Sequence, residues 1–116
     1  MPKYLISGSF SAEGLQRLQK EGRTPMFVDK ASGRGQAFSE AVQALGGKVE
    51  ALYFSLGEDD VYVIADLPDN STAAAIVLAA SATGRFRLRS TALLTPEEVD
   101  RAREKSAQLS PAGGRR

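Results

Sequence analysis

Residues 52–67, LYFSLGEDDVYVIADL, decide the fold of this chain. Two apolar runs flank a short acidic cluster, and apolar runs separated by a Gly/Asp cluster predict a β-hairpin. Gly57 can adopt a positive φ without steric cost, and the carboxylates of Asp59 and Asp60 suit a turn because they accept hydrogen bonds from nearby backbone N–H groups. We therefore predict antiparallel strands at residues 48–56 and 60–67.

Both strands of this hairpin are apolar on both faces. Alternation along the first strand separates Val49, Ala51 and Tyr53 from Leu52, Phe54 and Leu56. Alternation along the second separates Val61, Val63, Ala65 and Leu67 from Tyr62 and Ile64. A sheet with one solvated face would alternate between apolar and polar residues, so we expect both faces of this sheet to be covered.

The rest of the chain supplies two further strands and the helices. Strands are predicted at residues 3–10 and 85–91, and helices at 12–21, 36–45, 73–82 and 96–108. Residues 23–35 carry several turn signals and are predicted to be irregular. They form either a loop that tucks Met26, Phe27 and Val28 onto the core or a mobile lid or partner-contacting arm.

This order of elements predicts an α+β fold, a ferredoxin-like split βαβ sandwich with an antiparallel four-stranded sheet and a C-terminal helix. The two main helices cover one sheet face, and a second copy of the sheet is the simplest cover for the other, which predicts an isologous homodimer. We expect one domain at residues 1–109 and a flexible tail at 110–116. The residues expected in the core are Leu45, Phe54, Val63, Ile76 and Phe86.

Several short motifs resemble those of a known family. Gly57-Glu58-Asp59-Asp60 leads into an apolar strand and Leu67-Pro68-Asp69, with Pro2-Lys3-Tyr4-Leu5 and Gly46-Gly47-Lys48 before them and LLTPEEV at 93–99 after them. Over residues 2–105 the chain resembles the GYD-domain family, small bacterial and archaeal proteins of unknown function. The resemblance implies a dimeric α+β barrel. Two features depart from the family pattern: Asp59 replaces the tyrosine of the motif, and residues 23–35 make a longer connection.

Composition excludes several classes of site. The 116 residues include neither histidine nor cysteine, which rules out disulfides, thiol chemistry and Ser-His-Asp or Cys-His catalysis. Zinc, copper and haem sites are not expected, so we predict no metal and no cofactor. The net charge of +1 gives no electrostatic case for nucleic acid or membrane binding. The lack of cysteine fits a cytoplasmic protein.

Five strand residues are candidate ligand-binding residues: Glu50, Tyr62, Asp66, Arg87 and Arg89. If their strand faces coincide, the two carboxylates lie among apolar neighbours, where a desolvated carboxylate has a raised pKa and can act as a base. The alternative is a pair of solvated or arginine-paired carboxylates at strand ends. No complete catalytic set is visible, so the sequence leaves open whether the protein is an enzyme.

The arginines of the last strand alternate with apolar residues. Arg85, Arg87 and Arg89 are predicted to face away from Phe86 and Leu88, and their guanidinium groups match a carboxylate or a phosphate. The alternative is an edge strand protected by charge. We expect Arg87 and Arg89 to lie within ion-pair reach of a carboxylate, with Glu50 and Asp66 as the first candidates.

Two functions follow from these patterns. The first is binding of a small molecule, with anions among the candidate ligands, in a pocket between sheet and helices. The second is a non-catalytic assembly or regulatory module with a filled core. A pocket of about 300 Å³ or more favours the first. The acidic turn at residues 58–60 is predicted to be solvated, with a hard-cation site as the alternative.

Overall fold

The computed structural model describes residues 1–15 and 31–110, which form an α+β fold around a four-stranded antiparallel sheet. The strands are β1 (Lys3–Phe10), β2 (Lys48–Phe54), β3 (Val61–Asp66) and β4 (Phe86–Leu93), and the sheet order is β2-β3-β1-β4. The helices are α1 (Ala31–Ala44), α2 (Asn70–Ala82) and α3 (Pro96–Ser110), and residues 12–15 are also helical. The antiparallel sheet and the bounds of β1 are as predicted.

Helix α1 starts earlier than its predicted start at residue 36. Residues 31–35 belong to it, so the prediction of an irregular segment is wrong there. Gly33 and Gly35 had indicated turns, but neither adopts a positive φ, and a helix interior tolerates glycine at a modest cost. The remainder of the predicted loop, residues 23–30 with Met26, Phe27 and Val28, lies outside the described residues. So do residues 16–21 of the first predicted helix and residues 111–116 of the predicted tail.

A β-bulge interrupts strand β2. Val49 pairs with Ala65 and Ala51 pairs with Ile64, which leaves Glu50 without a register partner. The extra residue moves Val49 to the face of Leu52, so the strict alternation predicted for this strand is wrong at that point. Val49 and Leu52 both pack against the core.

The core lies between one face of the sheet and helices α1 and α2. Val63 and Ile76 are buried as predicted, and Phe86 is only half-buried. The prediction is wrong for Leu45 and Phe54, which are 47% and 42% exposed. Leu45 follows the last residue of α1, and Phe54 ends the edge strand β2, so neither is enclosed on all sides. The buried apolar residues are Tyr4, Ile6, Val42, Val63, Ala65, Leu67, Ala73 and Ile76.

Helix α3 is well capped but makes little contact with the rest of the fold. The Glu98 carboxylate accepts a hydrogen bond from the Thr95 N–H at 2.8 Å, and the Thr95 hydroxyl accepts one from the Glu98 N–H at 3.1 Å, which is the predicted capping box. The Thr95 N–H lowers the pKa of Glu98. From residue 99 to residue 109 every side chain is exposed. None of the described helices has the length and apolar character needed to cross a membrane.

Candidate functional site

A cavity of about 450 Å³ lies between the sheet and helices α1 and α2. Its floor is the helix-facing side of the strands, and its lining is mostly aliphatic and aromatic. A second depression of about 460 Å³, at the start of α3, has Lys3, Glu98 and Arg101 in its lining. The described residues that line the first cavity are Ile6, Phe10, Arg34, Gly35, Ala37, Phe38, Leu52, Phe54, Val61, Val63, Ala80, Arg85, Phe86 and Leu88.

Three aromatic rings form one wall of this cavity. Phe10, at the end of β1, stacks on Phe54 with 6.2 Å between ring centroids and packs against Phe86 at 5.4 Å. The pairing of Phe10 with Phe86 across β1 and β4 places both rings on the helix-facing side. Phe54 remains 42% exposed, so this wall borders the solvent.

Among the described lining residues two are charged, and both are arginines: Arg34 on α1 and Arg85 just before β4. The prediction that Arg85 shares a face with Arg87 and Arg89 is wrong. Strand β4 begins at Phe86, and Gly84 before it has a φ of +73°, so strand alternation does not extend to Arg85. The lining of this cavity includes no acidic residue among those described.

The five predicted ligand-binding residues lie outside this cavity. The strand register places Tyr62, Asp66, Arg87 and Arg89 on the opposite face of the sheet, which we call the open face. One row across that face contains Tyr53, Tyr62, Ser7 and Arg89, each aligned with the next strand. Glu50 sits at the bulge of β2, so it reaches this face only at the sheet edge.

Lys3 joins two of the predicted carboxylates. Its Nζ lies 2.6 Å from Oε1 of Glu50 and 2.9 Å from Oδ1 of Asp66. These hydrogen bonds, first that to Glu50 and then that to Asp66, raise the pKa of Lys3. The structure therefore brings Glu50 and Asp66 together through an amine that the sequence had not singled out.

Arg89 finds its carboxylate in the hairpin turn. Its Nη2 lies 2.6 Å from Oδ2 of Asp59, which is buried at 7% exposure. Pairing of Arg89 with Glu50 or Asp66 of the same chain, the first expectation, is therefore wrong, because Lys3 holds those two carboxylates. No described residue forms an ion pair with Arg87. Within one chain, the expected ion pair is therefore present at Arg89 and absent at Arg87 among the described residues.

The family model of the GYD domain matches residues 4–102 of this chain, from β1 into α3. The chain belongs to the GYD domain family. No curated protein and no solved structure matches the sequence. The matched range contains β2, β3, β4 and all of β1 except Lys3, and therefore nearly all of the cavity floor and of the open face of this GYD domain.

Two carboxylates in the acidic turn of this GYD domain bond to residues of β1 and β4. Asp59 is buried and forms an ion pair with Arg89, and Asp60 Oδ2 accepts a hydrogen bond from the Phe10 N–H at 2.9 Å. The prediction of a solvated turn is wrong for Asp59, while Asp60 is half-buried and Glu58 is exposed. Across residues 1–15 and 31–110, no three His, Cys, Asp or Glu side chains are grouped so that they could hold a metal ion.

The sequence did not indicate which residues line the cavity of the GYD domain. Phe54, Val63 and Phe86 line the cavity but were predicted as core residues, because apolar side chains at strand spacing are typical of a core. The one available signal was Arg85, a charged residue between a helix-ending glycine and an aromatic strand residue. Because β4 starts at Phe86 and not at Arg85, Arg85 does not follow the alternation of the strand, and it lines the cavity.

Proposed function

We propose that this GYD domain binds a small molecule in the cavity between the sheet and helices α1 and α2. The observation that carries the proposal is the cavity itself. Its volume of about 450 Å³ lies within the range of about 300–1,000 Å³ that ligand pockets occupy. A pocket of about 300 Å³ or more favours ligand binding over the filled-core alternative, and this one exceeds that volume.

The lining suits a mostly apolar ligand. Phe10, Phe54 and Phe86 offer ring faces, and Ile6, Leu52 and Leu88 offer aliphatic surface. Each square ångström of apolar ligand surface removed from water contributes about 25 cal/mol. Binding of such a ligand would also complete the burial of the half-exposed Phe54.

A neutral fluorescent probe tests this proposal. N-phenylnaphthylamine brightens in apolar sites, and we expect saturable binding by the wild-type protein. Ala80→Phe places a ring in the cavity and should weaken probe binding by about tenfold or more, which corresponds to at least 1.4 kcal/mol. Ala79→Phe is the matched control, because Ala79 is exposed, lies next to Ala80 on α2 and does not line the cavity.

The result that would overturn the proposal is equally specific. Absence of saturable probe binding by the wild type would leave the cavity without a binding role. Equal binding by wild type, Ala80→Phe and Ala79→Phe would place the probe elsewhere on the surface. Unfolding temperatures of both variants show whether each remains folded.

We further propose that the domain is ferredoxin-like and dimerises through the open face to form an α+β barrel. The strand order β2-β3-β1-β4 and the helices packed on one face agree with that fold. Tyr53, at 70% exposure, and Tyr62 lie beside the half-buried Leu5 and Ile64 on the other face. Such an apolar sheet surface is suited to burial against a second copy.

The ion pairs of the open face are compatible with this interface. Lys3 is paired with Glu50 and Asp66, and Arg89 with Asp59, while Arg87 has no ion-pair partner among the described residues. Covering charges that are already paired costs less than covering isolated ones. A second copy of the chain could therefore dock over Tyr62 without separating these pairs.

Sedimentation in dilute buffer tests this assembly. We expect the wild type to be a dimer, or a multiple of a dimer, at micromolar concentration. Tyr62→Glu should yield monomers, because each copy would have to bury a new carboxylate in the proposed interface. Leu78→Glu, on the outer surface of α2 at 70% exposure, should remain dimeric. A monomeric wild type would contradict the proposed barrel.

A further inference from the structure

The Arg85 side chain starts from a backbone that is held on both sides. The Arg85 carbonyl accepts a hydrogen bond from the Ser11 N–H at 2.8 Å, and the Arg85 N–H donates to the Thr83 hydroxyl at 3.1 Å. These two hydrogen bonds fix the position of the Arg85 backbone, and therefore of its Cα, at the cavity wall. Arg85 is half-buried in this position.

The guanidinium group of Arg85 has an unused donor. Its Nε is buried and has no hydrogen-bond partner among the described residues, and no described carboxylate forms an ion pair with the group. Arg89, four residues along the chain, by contrast binds the Asp59 carboxylate at 2.6 Å. A buried donor without an acceptor is unfavourable, so a bound acceptor at this position would be stabilising.

The surroundings of Arg85 define the chemistry of that acceptor. Phe86, Ile6 and Leu88 provide apolar surface, and the described lining contributes positive charge without any acidic residue. A guanidinium group matches a carboxylate with two parallel hydrogen bonds. Electrostatic attraction is stronger in an apolar, weakly polarisable site than in water. A doubly charged phosphate would lose more hydration there than a single carboxylate.

We propose that the ligand is an organic monocarboxylate with an apolar body, and that Arg85 binds its carboxylate group. The apolar body lies along the cavity floor, and the carboxylate lies against the guanidinium group of Arg85. This inference rests on the proposed ligand-binding function and adds the charge and polarity of the ligand. Arg87, which faces the other side of the sheet, takes no part in it.

Competition against N-phenylnaphthylamine compares octanoate with octanol, which share an apolar chain and differ in charge. At neutral pH we expect octanoate to bind the wild type about tenfold more tightly than octanol, a difference of about 1.4 kcal/mol. Arg85→Met keeps an apolar stem and should remove this preference while octanol binding persists. Arg87→Met is the matched control and should keep the preference.

The outcomes separate this inference from the function on which it rests. If the wild type binds the probe but does not prefer octanoate, or if Arg85→Met retains the preference, the assignment of Arg85 is wrong and the cavity proposal stands. If the wild type binds neither probe nor octanol, both proposals fail. Should Arg85→Met not fold, Arg85→Lys keeps the charge without the planar fork, and we expect part of the preference to be lost. Full preference in Arg85→Lys would overturn bidentate binding.

Discussion

Gly8→Ala is expected to destabilise the domain by about 3 kcal/mol or more, at the upper end of the cost of inserting atoms into a packed interior. A Cβ at Gly8 would lie 1.9 Å from the Arg87 carbonyl oxygen and 2.8 Å from the Leu88 Cα. Both atoms are backbone atoms of the neighbouring strand, so neither can rotate away. β1 pairs on both sides, with β3 and β4, and any shift of Gly8 would disturb both ladders.

Urea unfolding followed by circular dichroism measures this loss, and the slope of the transition shows whether unfolding remains two-state. Gly57→Ala is the control, because its Cβ would meet only the Ser55 Oγ at 3.5 Å and Gly57 does not have a positive φ. Gly57 does not adopt the positive φ that glycine permits, so alanine there should leave stability unchanged or slightly higher. Equal effects of the two substitutions would mean that β1 and β4 are not packed as described.

Leu67→Ala is expected to cost about 2–5 kcal/mol, through lost transfer free energy and the cavity left behind. Leu67 is fully buried, and a Cβ at Gly47 would contact both its Cδ2 and the Val42 Cγ1, so the side chain fills the space between β3 and the end of α1. Its N–H donates to the Pro2 carbonyl at 3.0 Å, which ties it to the start of β1.

Thermal and urea unfolding of Leu67→Ala should be compared with those of Leu78→Ala. Leu78 is 70% exposed on α2, so its truncation should change the free energy of unfolding by less than about 0.5 kcal/mol. Equal losses in the free energy of unfolding of the two leucine variants would show that Leu67 is not buried as described.

The sequence predicted the parts of the fold that depend on local patterns. The apolar runs around Gly57 indicated the hairpin, and Thr95 with Glu98 indicated the start of α3. The sequence did not predict the bulge at Glu50. The residues of β2 are the same types with or without a bulge, but the bulge reverses which sheet face each residue beyond it occupies. The sheet face of Val49 was consequently misassigned.

The candidate site was harder to predict because it is a space between elements. The volume between α1, α2 and the sheet depends on the position and orientation of the helices relative to the sheet, and the periodicity of apolar residues does not determine these. The partners in the ion pairs were misassigned for a related reason. Lys3 meets Glu50 and Asp66 across separations of 47 and 63 residues, so only the strand register brings them together. Arg85 was misassigned because the strand was predicted to start one residue too early.

The central position of β1 constrains how this chain folds. Lys3 pairs with Asp66 on one side and with Leu93 on the other, so both neighbours of the first strand lie far along the chain. The entropy lost on closing such long loops must be offset before the ladders contribute, and topologies rich in distant contacts fold slowly. The β2–β3 hairpin closes only a short loop, so it is the one pairing in this sheet that can form without bringing distant parts of the chain together.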